Sequence, residues 1–170
     1  MILKSMLKST AGKCFLSAAV MLSAYASGAV GQTPVLRHVF DIRARCGDAR
    51  VVGNIPGGKR VMIPITGGNV EGTVEAEILP GGADYQLVDT VSGRVEFNAI
   101  YTLRTGDGHL VNVRNTGVST SGTKGDYFTT SPAFEAPQDS GLDWLNNRIF
   151  ICRPIGFGDG IVHLRVWLAE

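Results

Sequence analysis

The residue best placed to do chemistry in this chain is Asp84, within Leu79-Pro80-Gly81-Gly82-Ala83-Asp84-Tyr85. Pro80 and the two glycines enforce a turn, and Asp84 follows as the chain re-enters an extended segment. A carboxylate there has two uses. It caps the turn amides, or it points inward as a general base or hydrogen-bond acceptor, its pKa raised by burial. The residues alone leave both open.

Other catalytic templates fail. Gly117-Val118-Ser119-Thr120-Ser121-Gly122 places its second glycine one position too late for a nucleophile elbow, and no helix follows. Gly156-Phe157-Gly158-Asp159-Gly160 lies between extended runs. A phosphate cradle needs a following helix N-terminus, so this segment reads as a turn. His38, His109 and His163 show no metal-ligand spacing. The expectation is no metal and no cofactor.

These residues must be positioned by whatever follows an N-terminal leader. Lys4, Lys8 and Lys13 form a basic start, Cys14 to Val30 carries no charge, and Ala24-Tyr25-Ala26 supplies small residues around a cleavage point. That order marks a secretory signal, residues 1–26. The apolar stretch is short for a membrane span. An uncleaved anchor is the rival reading. Cys14 precedes the apolar region, which argues against a lipid-bearing cysteine. The expected product is exported, to the periplasm or beyond, with no stable membrane insertion after cleavage.

Removing the leader takes three of 16 basic residues and none of 15 acidic ones, leaving 13 against 15. That balance gives no footprint for nucleic acid or anionic lipid. Of three cysteines, Cys46 and Cys152 remain. In an oxidising compartment an even pair reads as one disulfide. A loop of about 105 residues would be worth about 4–5 kcal/mol by the chain-entropy argument. Two unpaired thiols are the alternative.

The remainder suits one domain with a real core. Alternation of period two recurs in Val70–Ile78, Val95–Arg104 and Val162–Leu168. Shorter candidate strands are Leu36–Ala44, Arg60–Ile65, Tyr85–Val88, Leu110–Arg114, Asp126–Thr130 and Arg148–Arg153. Turn signals separate them at Gly57-Gly58, Gly67-Gly68, Gly81-Gly82, Ser92-Gly93, Asp107-Gly108 and Asp159-Gly160. Ser140–Asn147 is the one candidate short helix, with Ser140 as a weak cap. About nine short strands indicate a single antiparallel barrel or a sandwich over residues 37–170, after a flexible segment 27–36. The segments 115–125 and 131–143 read as long loops, either framing a binding mouth or serving as plain solvent-facing connections.

An ordered set of short motifs then resembles a known family. It comprises Gly53, Gly58-Lys59-Arg60, Pro64-Ile65-Thr66-Gly67-Gly68, Gly72, Leu79 to Asp84, Tyr101, Asp107-Gly108, Tyr127-Phe128, Pro132-Ala133-Phe134-Glu135 and Trp144-Leu145-Asn146. The set is similar to the domain of unknown function 3237 family, also catalogued as uncharacterised protein family 0311. The resemblance runs from about Arg37 to the C-terminus. It implies a calycin-like, lipocalin-like all-β barrel with a central cavity, and it brings no established reaction. The leader and the Cys46/Cys152 pair are departures from the family pattern.

The resemblance also implies a polar set, Arg60, Asp84, Tyr101, Glu135, Trp144 and Asn146, gathered at one barrel mouth. Arg60 would grip a ligand carboxylate in a two-pronged bond. Trp144 would offer a flat apolar wall, and Asn146 would orient a carbonyl or hydroxyl. The competing structural reading is an ion pair of Arg60 with Asp84 or Glu135, and plain core packing for Trp144.

The leading expectation is a binding module for a small, partly apolar ligand. The alternatives are a cofactor-free isomerase, cyclase or hydrolase using Asp84 or Glu135, and a structural protein with a filled core. Ligand identity and oligomeric state are not encoded in any motif.

Overall fold

A computed structural model describes residues 33–123 and 125–170. The expected leader, and residues 27–32 of the segment after it, lie outside the described residues. The unit Val35–Glu170 holds ten strands: β1 (Leu36–Cys46), β2 (Arg50–Ile55), β3 (Gly58–Gly72), β4 (Ala76–Ile78), β5 (Gly82–Val88), β6 (Val95–Thr105), β7 (Leu110–Thr120), β8 (Tyr127–Glu135), β9 (Phe150–Gly158) and β10 (Ile161–Ala169). A short 3-10 turn, Asp143–Asn147, stands between β8 and β9.

The pairing is antiparallel throughout and returns on itself. From β1 it passes through β10, β9, β8 and β7 to β6; β4 and β5 join β6 to β3; and β3 pairs back with β1. The ring is a closed barrel, which removes most strand edges. β2 is the exception: it pairs only with β3 and forms a flap.

Closure depends on β3. The turn expected at Gly67-Gly68 is instead a bend inside one long strand. The first half of β3 pairs with β2 and β5, and the second half with β1 and β4. A Cβ at Gly68 would stand 2.0 Å from the Arg43 carbonyl oxygen, so only glycine allows the corner. The alternating run Val70–Ile78 is likewise split, because the chain turns between β3 and β4.

Two expected loops are largely strand. Residues 115–120 complete β7, and residues 131–135 complete β8. Their polar and proline content misleads because β7 and β8 pair with each other through this stretch, Asn115 with Pro132. Ser140 does not cap the short helical turn. It donates to the Pro137 carbonyl and accepts from the Leu142 amide, stabilising the loop before the turn.

Inward-facing residues fill one end of the barrel. Phe40, Phe134 and Phe150 meet edge-on or tilted, with centroids 5.1–6.3 Å apart. Ile78, Leu103, Val70, Val111 and Val166 pack around them, and Leu145 of the 3-10 turn closes the end. Full burial of each large side chain contributes about 1.5–3 kcal/mol.

Candidate functional site

Above this core the barrel is hollow. A cavity of about 290 Å³ is lined by Ala44, Cys46, Ile63, Ile65, Asp84, Gln86, Phe97, Ala99, Tyr101, Asn115, Phe128, Phe157, Val162 and Leu164. That is room for roughly ten waters at ~30 Å³ each. Strand register explains the lining. Ile63 pairs with Asp84, Asp84 with Ala99, and Ala99 with Asn115, so one hydrogen-bonded row aims all four side chains inward.

Three rings lie across the top of the cavity. Phe97 stacks on Phe128 at 4.4 Å, and Phe128 on Phe157 at 6.2 Å. Between β6 and β8 the inward position on β7 is Gly117. A Cβ there would stand 2.3 Å from the Thr129 carbonyl oxygen. The glycine lets the β7 and β8 backbones approach closely.

The cavity walls are apolar except at two places. The first is Asp84. Its Oδ2 accepts from Gln86 Nε2 at 2.7 Å, and its Oδ1 accepts from the Asn98 backbone N–H at 3.1 Å. The β5–β6 ladder passes from Asp84↔Ala99 to Leu87↔Glu96, skipping the two residues between on each strand. The Asp84 carboxylate thus takes a main-chain donor at the interruption. Burial pushes its pKa up, and the two hydrogen bonds offset part of that rise.

The second is the cavity floor. Tyr101 Oη and Asn115 Oδ1 are buried there and make no hydrogen bond; the buried Thr130 hydroxyl is not part of the lining and faces the Cys152 thiol. Each such group costs about 1–3 kcal/mol unless something fills its valence. Burial pushes the Tyr101 phenol up. Beside them the Cys152 thiol is pushed up to about 11, chiefly by burial, with Thr130 and Asn115 opposing the shift.

The expected disulfide is not formed: Cys46 and Cys152 are both free thiols. Phe40 pairs with Val166, and Val166 with Cys152, so Cys152 stands level with Phe40. Cys46 lies six residues farther along β1. At about 3.3 Å per residue the separation along the strands is about 20 Å. A disulfide tolerates about 7 Å between Cα atoms. Cys46 is instead part of the cavity wall, its thiol pushed up by burial and by neighbouring Asp84.

The six residues expected at one mouth divide among three places. Asp84 and Tyr101 line the cavity. Arg60 lies in an outer groove with Tyr85, Glu96, Asn98 and Arg114. Glu135, Trp144 and Asn146 belong to the filled end. Glu135 is exposed and accepts from Asn112 Nδ2 at 2.9 Å. Trp144 packs on Phe150 with centroids 5.9 Å apart. Asn146 clamps the chain at Ala136, accepting its N–H at 2.7 Å and donating to its carbonyl at 2.9 Å. No Arg60 ion pair with Asp84 or Glu135 forms, and Arg60 is not among the residues that line the cavity.

Two of the histidines meet elsewhere. On the outer wall, His38 Nε2 and His163 Nε2 stand 2.8 and 3.1 Å from the Asp41 carboxylate, which Arg165 holds in a two-pronged bond at 3.0 and 3.1 Å. Burial opposes ionisation of Asp41, but Arg165 and the histidines outweigh it and hold the carboxyl well below its usual range. Among the described residues, no group of three or more His, Cys, Asp and Glu is arranged to hold a metal ion. No helix among them is long and apolar enough to cross a membrane.

Residues that sequence reasoning passed over as site members include Cys46, Gln86, Phe97, Asn115 and Phe128. A signal existed for one: Asn115 falls in the inward phase of Val111 and Val113.

Comparison with known proteins matches this architecture. Residues 34–168 match the family model described as Protein of unknown function (DUF3237). A UPF0311 protein of Bradyrhizobium diazoefficiens is 34% identical over 146 residues, covering 76% of this chain and 95% of the relative. The crystal structure of a conserved protein of unknown function from Rhodopseudomonas palustris matches with a TM-score of 0.73 at 31% identity, over 82% of this chain and 99% of that one. A β-barrel-like protein of Acinetobacter baumannii matches with a TM-score of 0.76 at 24% identity, over 84% of this chain and all of that one (100%). With the family match spanning nearly the whole barrel and relatives aligned along almost their full length, this chain belongs to the DUF3237 family, whose curated relatives carry the name UPF0311.

Proposed function

We propose that this is an exported binding protein whose cavity holds a small, mainly apolar molecule with a hydrogen-bonding oxygen at its deep end. One observation carries the reading. Two buried polar atoms, Tyr101 Oη and Asn115 Oδ1, lack partners on the wall of a mainly apolar cavity. Stability alone favours apolar residues there, since removing unpaired polar groups from a core is neutral or stabilising. A ligand oxygen would supply the missing bonds, while Phe97 and Phe128 offer flat surfaces to its apolar body. Export rests on the basic, apolar and small-residue order of the leader.

The test is native mass spectrometry of the protein exported by its own host, repeated after denaturation without reductant. The expected result is a chain shortened by the leader, carrying extra mass that denaturation removes. A bare chain that also fails to take up apolar alcohols and ketones would refute the reading.

A second reading has its own observation. Asp84 sits on the cavity wall with its pKa raised by burial, the condition a general acid or base needs. An enzyme using Asp84 would lose turnover far more than affinity in Asp84→Asn. A binder would lose affinity alone.

A further inference from the structure

The ionisable groups around the cavity are all of one kind. Asp84, Cys46 and Tyr101 are acids, contributed by β5, β1 and β6. Among the described lining residues there is no Lys, Arg or His. Arg60, the cation closest to this region in the sequence motifs, faces the outer groove on the other side of the wall. An anion placed in the cavity would therefore lose its hydration and meet no counter-charge. It would meet instead an aspartate whose own charge is already disfavoured by burial. The two donors that face Asp84, Gln86 Nε2 and the Asn98 N–H, are spent on its carboxylate and are not available to a guest.

Building on the ligand-binding reading above, we infer that the cavity selects by charge: it takes uncharged apolar alcohols, phenols or ketones and rejects the corresponding carboxylates, with Asp84 as the residue that sets this selection. The polar floor fits the same class. A hydroxyl can donate to Asn115 Oδ1 and accept from Tyr101, so it meets donor and acceptor needs with no net charge. A carboxylate would bring only acceptors to the Asn115 oxygen. Ionised, Asp84 repels an anion directly; protonated, or replaced by Asn, it no longer repels, and only the missing counter-charge still disfavours the anion.

Two measurements test this, one with a ligand and one without. The first compares naphthol and naphthoate, matched in ring system and differing in charge, by fluorescence titration at neutral pH. Naphthoate should bind at least roughly tenfold more weakly. Asp84→Asn should narrow the gap between the two probes. Equal binding of the two by the unaltered protein, or a gap unmoved by Asp84→Asn, would overturn the inference.

The second uses Cys46 as a sensor of the cavity. The full chain is labelled with trimethylammonium-ethyl and with sulfonato-ethyl methanethiosulfonate, and modification of Cys46 is followed by peptide mass spectrometry. The ratio of the cationic to the anionic rate should exceed that of free cysteine, and Asp84→Asn should bring it back toward the free value. A ratio at or below that of free cysteine would overturn the inference. Failure of naphthol to bind at all would count against the ligand-binding reading, while the labelling ratio would still decide the charge claim.

Discussion

The two ends of this barrel are made by the same strands and packed in opposite ways. At the closed end, Phe40, Phe134 and Phe150 interlock, and Leu145 plugs the opening. At the other end the same strands present Ala44 and Ala99, whose small size leaves the interior empty. The closed end supplies cohesion. The hollow end holds unpaired polar atoms and a buried carboxyl that cost stability. A fold that places its costs in one region and its packing in another has separated what holds it together from what it offers to a ligand.

The sharpest way to break that contrast is to truncate an aromatic ring at each end. Phe150→Ala should cost about 3–5 kcal/mol in urea unfolding. Phe157→Ala should cost about 1 kcal/mol or less, because the ring is already 66% exposed. Equal losses would mean that the hollow end bears as much of the packing as the closed one.

Two carboxylates sharpen the contrast through pH. Asp41, on the outer wall, is held ionised by Arg165, so its folded pKa lies below its unfolded one. It adds stability above the unfolded pKa, and that contribution fades as pH falls through the acid range. Asp84 is raised, so the folded state binds its proton more tightly, and it costs stability above its folded pKa. Asp41→Asn should therefore destabilise by about 1–2 kcal/mol at neutral pH and little in strong acid. Asp84→Asn should stabilise at neutral pH, the gain shrinking as pH falls toward the usual carboxylate range. Melting temperatures across pH check both signs.

Tyr101→Phe addresses the cavity floor directly. Removing a hydroxyl that has no partner should raise the stability of the unliganded protein by about 1 kcal/mol. A loss of similar size would show that the hydroxyl is already satisfied.

The smallest expected effect concerns the wall. β6 and β7 pair along ten consecutive positions, whereas β8 and β9 pair only at Thr130↔Cys152. The rest of that seam is joined by side chains: Ser131 Oγ donates to the Phe150 carbonyl at 2.8 Å and Arg153 Nε to the Phe128 carbonyl at 3.4 Å. Amide hydrogen exchange should be modestly faster in β8 and β9 on the cavity side than in β6 and β7. Equal protection would show the two seams to be equally tight.

Much of this architecture could be read from residue order. Alternation located β6 and β10, and Asp107-Gly108 located the hairpin between β6 and β7. Asp84 was recognisable because a Pro-Gly-Gly turn delivers it to the start of a strand. What alternation does not reveal is which end of a barrel a residue occupies. Glu135, Trp144 and Asn146 belong to the same ordered set of motifs as Asp84 and Tyr101 but lie at the closed end. The Cys46–Cys152 pairing failed for the same reason, since both cysteines face inward at different heights. Arg60 stands an odd number of residues from the inward-facing Ile63 and Ile65 of β3, and so points outward. Asn115 was missed because its polar neighbours made the end of β7 look like a loop.

The central claim is that the hollow end is a ligand cavity. It is tested most directly by titrating naphthol into the unaltered protein, into Ala99→Trp, which projects an indole into the cavity, and into Trp144→Phe, which alters the closed end. Saturable binding to the unaltered protein and to Trp144→Phe, lost in Ala99→Trp, is the predicted result. Binding that survives in Ala99→Trp, or that is absent from the unaltered protein, would contradict it.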